Sequence, residues 1–117
     1  MLRMTRLFTM LVSPCLALAG MTVVAGAAGA DPIELSLSGH KFSPSTFEAP
    51  ANQKFQIRVT NHDITPAEFE SHDLKFEKIV VPGAVVTVTA GPLKPGTYKF
   101  FDDYHPDAAI GFVTVKE

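Results

Sequence analysis

The sequence predicts a small all-β domain, a Greek-key sandwich or barrel built from roughly six or seven short antiparallel strands. Apolar and polar residues alternate strictly in several segments, as in Ile33, Leu35 and Leu37, which is typical of a strand with one buried face. Proline and glycine turns separate these segments, and no window carries a helical period over three turns. A length of 117 residues bounds the chain to one domain.

The strands are expected where the alternation is clearest. Phe55, Ile57 and Val59 alternate with polar neighbours, and a similar pattern follows Pro82-Gly83. Residues 39–53 are predicted to be a connector with a short extended piece near Phe47, and residues 61–66 to be a loop. The predicted strands are 33–37, 55–60, 85–90, 97–101 and 111–115, with shorter ones starting at Ala67 and at Ile79.

Residues 1–30 are predicted to be a secretory signal peptide. Arg3 and Arg6 precede an apolar run over residues 7–24, and Ala28-Gly29-Ala30 is a small-x-small cleavage site. A transmembrane anchor is the alternative, but Pro14 interrupts the run and no charged stop-transfer cluster follows it. Cys15 is compatible with a lipoprotein, although Pro14 suits a lipid-attachment box poorly. We therefore expect an exported domain of residues 31–117.

Removal of the leader changes the ligands that are available. All four methionines and the single cysteine lie within residues 1–30, so the mature chain has no sulfur ligand and forms no disulfide. Its formal charge falls from −2 to −4, because two arginines are lost and no acidic residue is. An acidic domain without a basic patch argues against nucleic acid as a partner and favours a cation or a basic protein surface.

A first group of metal-ligand types follows the predicted strand 97–101. Side chains alternate along a strand, so Tyr98, Phe100 and Asp102 share one side, and Asp102 is expected at the rim of the core with His105 one loop turn away. Oxygen and imidazole ligands suit Cu(II), Fe(II), Fe(III), Mn(II) and Zn(II), whereas Cu(I) prefers thiolates and thioethers. The alternative is a solvated acidic loop. The group consists of Asp102, Asp103, His105 and Asp107.

A second group, Glu68, Glu70 and His72, is spaced by two residues. In an extended strand these side chains share a face about 6.6 Å apart, which suits one ligand at a buried site and another at a rim site. The alternative is the polar outer face of an amphipathic strand. His40, directly after the first strand, is either a loop histidine or a ligand, and His62 is expected to be a solvated turn residue.

No arrangement for nucleophilic catalysis stands out in the sequence. None of the serines lies in a Gly-x-Ser-x-Gly elbow, and there is no glycine-rich phosphate loop.

The C-terminal order of a strand with Gly96-Thr97-Tyr98-x-Phe100-Phe101, a loop with His, and Gly-x-Val-x-Val resembles the end of cupredoxins. On that pattern Asp102 takes the place of the copper-binding cysteine, His105 matches the histidine, and Ile110 lies near the methionine. The resemblance therefore implies a cupredoxin fold without the thiolate of a blue copper site. Any Cu(II) bound there is expected to be pale.

Residues 61–74, Pro82-Gly83 and residues 91–101 are similar to the cupredoxin-like domain of bacterial periplasmic iron-uptake systems of the Efe and Ftr type. In that family a Glu at the place of Glu68 and a ligand at the place of Asp102 are implicated in binding copper or iron. Some members carry cysteines where this chain has Phe42 and Asp102. The resemblance implies a periplasmic partner of an inner-membrane iron permease.

The expected function is therefore a periplasmic Cu(II)- or iron-binding component of ferrous iron uptake, working with a periplasmic partner protein, as a monomer or homodimer. Asp102, His105 and Glu68 would bind the ion, with His40 as a fourth ligand. Glu70, His72 and Asp103 would form a rim site. The alternatives are a copper-dependent ferroxidase and a metal-free envelope interaction domain.

Overall fold

A computed structural model describes residues 31–117, and the predicted signal peptide lies outside the described residues. The described chain consists of strands and turns. The strands are β1 (Ile33–Ser38), β2 (Lys41–Ser43), β3 (Thr46–Pro50), β4 (Phe55–Asn61), β5 (Ala67–Ser71), β6 (Phe76–Val80), β7 (Val85–Ala90), β8 (Gly96–Asp102) and β9 (Ile110–Lys116). Within residues 31–117 there is no helix long and apolar enough to cross a membrane.

Two sheets pack face to face. One has the strand order β2-β1-β4-β7 and the other the order β3-β9-β8-β5-β6. The alternation expected along 55–60 is present, since Phe55, Ile57 and Val59 are buried and the residues between them are not. The all-β sandwich predicted from the sequence is confirmed.

The prediction that all strands pair antiparallel was wrong. β1 pairs with β4 in parallel, and β3 pairs with β9 in parallel. Each partner lies in the same sheet but is reached through a crossover to the other sheet, so the two sheets are mixed. Alternation of side chains reports which face is buried and not the direction of the neighbouring strand, so the sequence pattern could not show this.

Within the predicted connector of residues 39–53, the short extended piece expected near Phe47 is present as β3, whereas β2 was not predicted. β2 has only three residues, too few to show a clear period, and prolines punctuate the segment. Pro50 ends β3, which is an edge strand, where a residue without an N–H is tolerated.

An aromatic cluster fills the sandwich beneath one of its ends. Phe69 and Phe100 each expose no more than 1 % of their surface, and their rings pack edge-on with centroids 5.7 Å apart. Phe42 packs on Phe100 at 5.1 Å. Phe42 is itself buried, so it is a core aromatic.

Candidate metal centre

Asp102 ends β8 as a fully buried carboxylate, with 0 % of its surface exposed. Its Oδ1 accepts hydrogen bonds from the amides of Glu68 (2.9 Å) and Tyr104 (3.0 Å). The second bond closes an Asx turn, in which an aspartate side chain caps the backbone two residues on. Asp102 is therefore positioned from both sides, by β5 and by the loop that it begins.

His105 lies on that same loop and its ring meets Asp102. The amide of His105 donates to the carbonyl of Asp102 at 3.0 Å, and His105 Nδ1 lies 3.0 Å from Asp102 Oδ2. The loop returns to the sheet through the amide of Asp102, which donates to the carbonyl of Ala109 at 3.0 Å. The short reach from Asp102 to His105 was predicted from the sequence.

His40 comes from the other sheet, on the two-residue turn between β1 and β2. Its imidazole stacks on that of His105, with ring centroids 3.7 Å apart and an interplanar angle of 22°. Ligand atoms of His40, Asp102 and His105 all lie within 4.8 Å of one another. Three ligand-type side chains from two distant parts of the chain thus converge at one end of the sandwich.

This donor set fits a metal ion in chemistry and in spacing. Two ligand atoms, each about 2.0–2.1 Å from an ion and at 90–109° to one another, lie about 2.9–3.4 Å apart. The 3.0 Å between His105 Nδ1 and Asp102 Oδ2 falls in that range. The rings of His40 and His105 are close to parallel, so their in-plane lone pairs do not converge. One ring must turn for both to bind a single ion.

Glu68 belongs to a different group from the one expected. Its carboxylate lies with those of Glu70 and Asp103, with one oxygen of each within 4.8 Å of the others. The Glu68 backbone joins the two groups, because its amide donates to Asp102 and its carbonyl accepts from the Asp103 amide at 2.9 Å. The expected set of Asp102, His105 and Glu68 is thus divided, with His40 in the place foreseen for Glu68.

The pKa of Glu68 is raised by its surroundings in the acidic group. Burial raises the pKa of Glu68, and the nearby carboxylates of Glu77, Glu70 and Asp103 raise it further. Burial and the charge of Glu68 also raise the pKa of Tyr104. Acidic side chains are therefore concentrated at this surface.

The remaining sequence candidates lie outside these two groups. His72 is exposed, with Nδ1 3.6 Å from Glu70 Oε1. Asp107 is exposed on the loop after His105. His62 is exposed, as expected of a turn residue, and its Nε2 lies 3.4 Å from Ser36 Oγ.

Sequence reasoning missed Asp63. Its carboxylate accepts hydrogen bonds from the amides of Gly39 (2.6 Å) and His40 (3.0 Å), and its Oδ2 lies 3.6 Å from His40 Nδ1. The hydrogen bond from the His40 amide is the main cause that lowers the pKa of Asp63. No spacing in the sequence signals a contact between residues 40 and 63, which parallel pairing of β1 with β4 creates.

This chain is a sandwich of two mixed β-sheets that carries a group of two histidines and a carboxylate at one end. The family model of the cupredoxin-like domain matches residues 7–115. The chain belongs to this family, whose fold is consistent with metal binding or electron transfer.

Two kinds of relative agree with this assignment. An uncharacterized protein of Rickettsia prowazekii (strain Madrid E) is 42 % identical over 85 residues, which are 73 % of this chain and 68 % of that protein. A purple cupredoxin from Nitrosopumilus maritimus superposes with a TM-score of 0.56 at 22 % identity, covering 72 % of this chain and 99 % of the other.

Two further structures share the fold. A reduced variant of amicyanin gives a TM-score of 0.59 at 15 % identity, covering 77 % of this chain and 88 % of its own. A Cu-containing nitrite reductase from Thermus scotoductus gives 0.61 at 22 % identity over 81 % of this chain. The chain spans only 24 % of that enzyme.

Proposed function

We propose that this protein is a periplasmic metal-binding component of a high-affinity ferrous iron uptake system, binding Cu(II) or iron for delivery to an inner-membrane permease. The observation that carries the proposal is the convergence of His40, Asp102 and His105 within 4.8 Å. Two imidazoles and one carboxylate suit Cu(II), and two histidines with one carboxylate is also a known donor set for Fe(II). The similarity of residues 61–74 and 91–101 to the Efe and Ftr type domains supports the iron-uptake role.

In this proposal the ion binds to His40, Asp102 and His105. Glu68, Glu70 and Asp103 form the rim site, with His72 at its edge, through which the ion passes on. The backbone of Glu68 contacts Asp102, so the rim carboxylates adjoin the ligand group and would be the next acceptors of an ion in this proposal. Anionic oxygen stabilises Fe(III) more than Fe(II), because the more highly charged ion gains more from it.

The test is Cu(II) titration of metal-stripped residues 31–117, followed by electron paramagnetic resonance. Wild type is expected to bind Cu(II) stoichiometrically, with a non-blue spectrum and nitrogen coupling. His105→Ala and Asp102→Ala are each expected to weaken binding far more than His62→Ala, which replaces an exposed histidine outside the group. Equal effects of all three variants would refute the site, and Cu(II) that stays in solution would refute the Cu(II) form of the proposal and leave Fe(II) to be titrated.

A second candidate is ferroxidase activity, favoured by the acidic group that adjoins the histidines. Oxidation of one Fe(II) to Fe(III) releases one electron, which either O₂ or a bound Cu(II), reduced to Cu(I), must accept. A ferroxidase consumes oxygen through repeated turnovers, whereas a carrier takes up one equivalent of iron and stops. Oxygen consumption with excess Fe(II), with and without Cu(II), separates the two.

A further inference from the structure

The turn that carries His40 has a backbone conformation that needs support. Ser38 pairs with Lys41, so Gly39 and His40 are the two central residues of a hairpin turn, and both have φ of +58°. Positive φ is the requirement of the primed turns that suit hairpins, and glycine meets it readily. Histidine meets it at a cost, because its Cβ crowds the backbone there.

Asp63 supplies the support. One oxygen of its carboxylate accepts from the Gly39 amide at 2.6 Å and the other from the His40 amide at 3.0 Å. A charged acceptor makes stronger hydrogen bonds than a neutral one, so the carboxylate fixes the direction in which His40 leaves the turn.

Asp63 is itself fixed by buried structure. Its amide donates to Oδ1 of Asn61, whose side chain is fully buried. Asn61 Nδ2 donates to the carbonyls of Thr65 at 2.9 Å and Val80 at 3.0 Å. The position of the Asp63 carboxylate is therefore fixed by Asn61 and, through Val80, by the other sheet, independently of the turn that it supports.

Asp63 also faces the imidazole of His40. Its Oδ2 lies 3.6 Å from His40 Nδ1, and the side chain of Asp63 is only 14 % exposed. Histidines that bind metal usually donate their second ring N–H to a carboxylate or carbonyl, which fixes the tautomer and the ring orientation. The His40 ring must turn in any case to open its stack with His105, and the 3.6 Å distance needs to shorten by only about 0.5 Å to become a hydrogen bond.

We propose that Asp63 is the positioning residue of His40: it sets the turn through both amides and holds the proton on Nδ1, so that Nε2 is presented to the metal ion. This inference rests on the proposed metal-binding function. It differs from a purely structural role of Asp63, which would fix the backbone and leave the tautomer free.

The first test needs neither metal nor a variant. Long-range ¹H–¹⁵N spectra of ¹⁵N-labelled, metal-free protein at about pH 8.5, where imidazoles are neutral, report the tautomer of each histidine. His40 is expected as the Nδ1–H form, whereas exposed His62, which has no carboxylate of residues 31–117 within ion-pair distance, is expected mainly as the Nε2–H form that free imidazole prefers. His40 in the Nε2–H form in wild type would overturn the inference.

The second test is Asp63→Asn, with Asp73→Asn as the matched control. Asparagine retains a carbonyl oxygen for the turn amides but is a weaker, neutral acceptor for the ring. Asp73 also accepts a backbone amide, that of Lys99 at 2.9 Å, and is outside the histidine group. We expect Asp63→Asn to lower Cu(II) affinity by roughly 10–100-fold and to shift His40 toward Nε2–H, with Asp73→Asn unchanged.

The outcomes separate this inference from the proposed function. Wild-type binding with an unchanged affinity in Asp63→Asn refutes the role of Asp63 and leaves the metal site intact. The Nδ1–H tautomer in a wild-type protein that binds neither Cu(II) nor Fe(II) refutes the metal function while showing that Asp63 orients the ring. Should Asp63→Asn fail to fold, the wild-type tautomer still decides the question.

Discussion

Asp102 performs two tasks that substitution can separate, since its carboxylate both holds a loop and offers a ligand. Asp102→Ala removes the acceptor of the Glu68 and Tyr104 amides at a fully buried position. Hydrogen bonds to a charged group contribute about 1.5–3 kcal/mol each, and part of this is recovered as water reaches the freed amides. We therefore expect Asp102→Ala to lower the free energy of unfolding by about 2–4 kcal/mol.

Asp102→Asn should behave differently. Its amide oxygen can take the position of Oδ1 and accept from both amides, so the expected loss of stability is about 1 kcal/mol or less. The side chain is no longer anionic, and we expect Cu(II) affinity to fall by more than about 100-fold, beyond the loss typical of residues that only support a ligand. The asparagine variant therefore separates metal affinity from stability.

The assay is urea unfolding of chelator-treated protein, followed by far-ultraviolet circular dichroism because the chain has no tryptophan, with Cu(II) titration of the same samples. Equal destabilisation by Asn and Ala would show that the charge of Asp102, and not its position as an acceptor, holds the loop. Wild-type Cu(II) affinity in Asp102→Asn would refute its assignment as a ligand.

Three further predictions follow from local geometry. His40→Ala should remove one nitrogen coupling from the Cu(II) spectrum and leave that of His105; an unchanged spectrum would exclude His40 as a ligand. Gly111→Ala should cost about 1–3 kcal/mol by overpacking, because a Cβ there would meet the Phe100 ring at 2.2 Å, and urea unfolding measures it. Glu77→Gln should stabilise the metal-free protein above the raised pKa of Glu68, because ionised Glu68 then has one fewer carboxylate beside it. This gain should shrink as the pH falls through that pKa, and a gain constant with pH would contradict the reasoning.

The sequence predicted those parts of the fold that depend on local alternation. Strands such as β4 show strict period-two burial, and their existence and buried faces could be predicted. Neither the parallel pairing of β1 with β4 nor the short β2 could be predicted, because strand direction is set by tertiary packing and three residues carry no period. β3 was anticipated only as a short extended piece near Phe47. The contact of the Gly39-His40 turn with Asp63 follows from the parallel pairing, which sets Leu37 beside Asn61.

The dependence on tertiary packing also explains which parts of the candidate site could be predicted. Asp102 and His105 are three positions apart, so their proximity follows from the loop itself, and it was foreseen. His40 and Glu68 were both identified as candidate ligands, yet which one would meet His105 depends on the side of Asp102 from which each strand approaches. Glu68 uses its backbone amide on Asp102, and this turns its side chain toward Glu70 and Asp103. Ligand type could thus be predicted from sequence, and grouping could not.

The absence of sulfur from residues 31–117 bears on what the centre does with an electron. Thiolate and thioether ligands stabilise Cu(I), whereas imidazole and carboxylate favour the harder, more highly charged Cu(II) and Fe(III). In the proposed centre Asp102 would add a negative oxygen ligand that stabilises the oxidised ion further, and the carboxylates of Glu68, Glu70 and Asp103 would act in the same direction through space. Such a centre would retain an oxidised ion and resist its reduction. These ligands therefore favour holding and transferring an ion over cycling between Cu(II) and Cu(I).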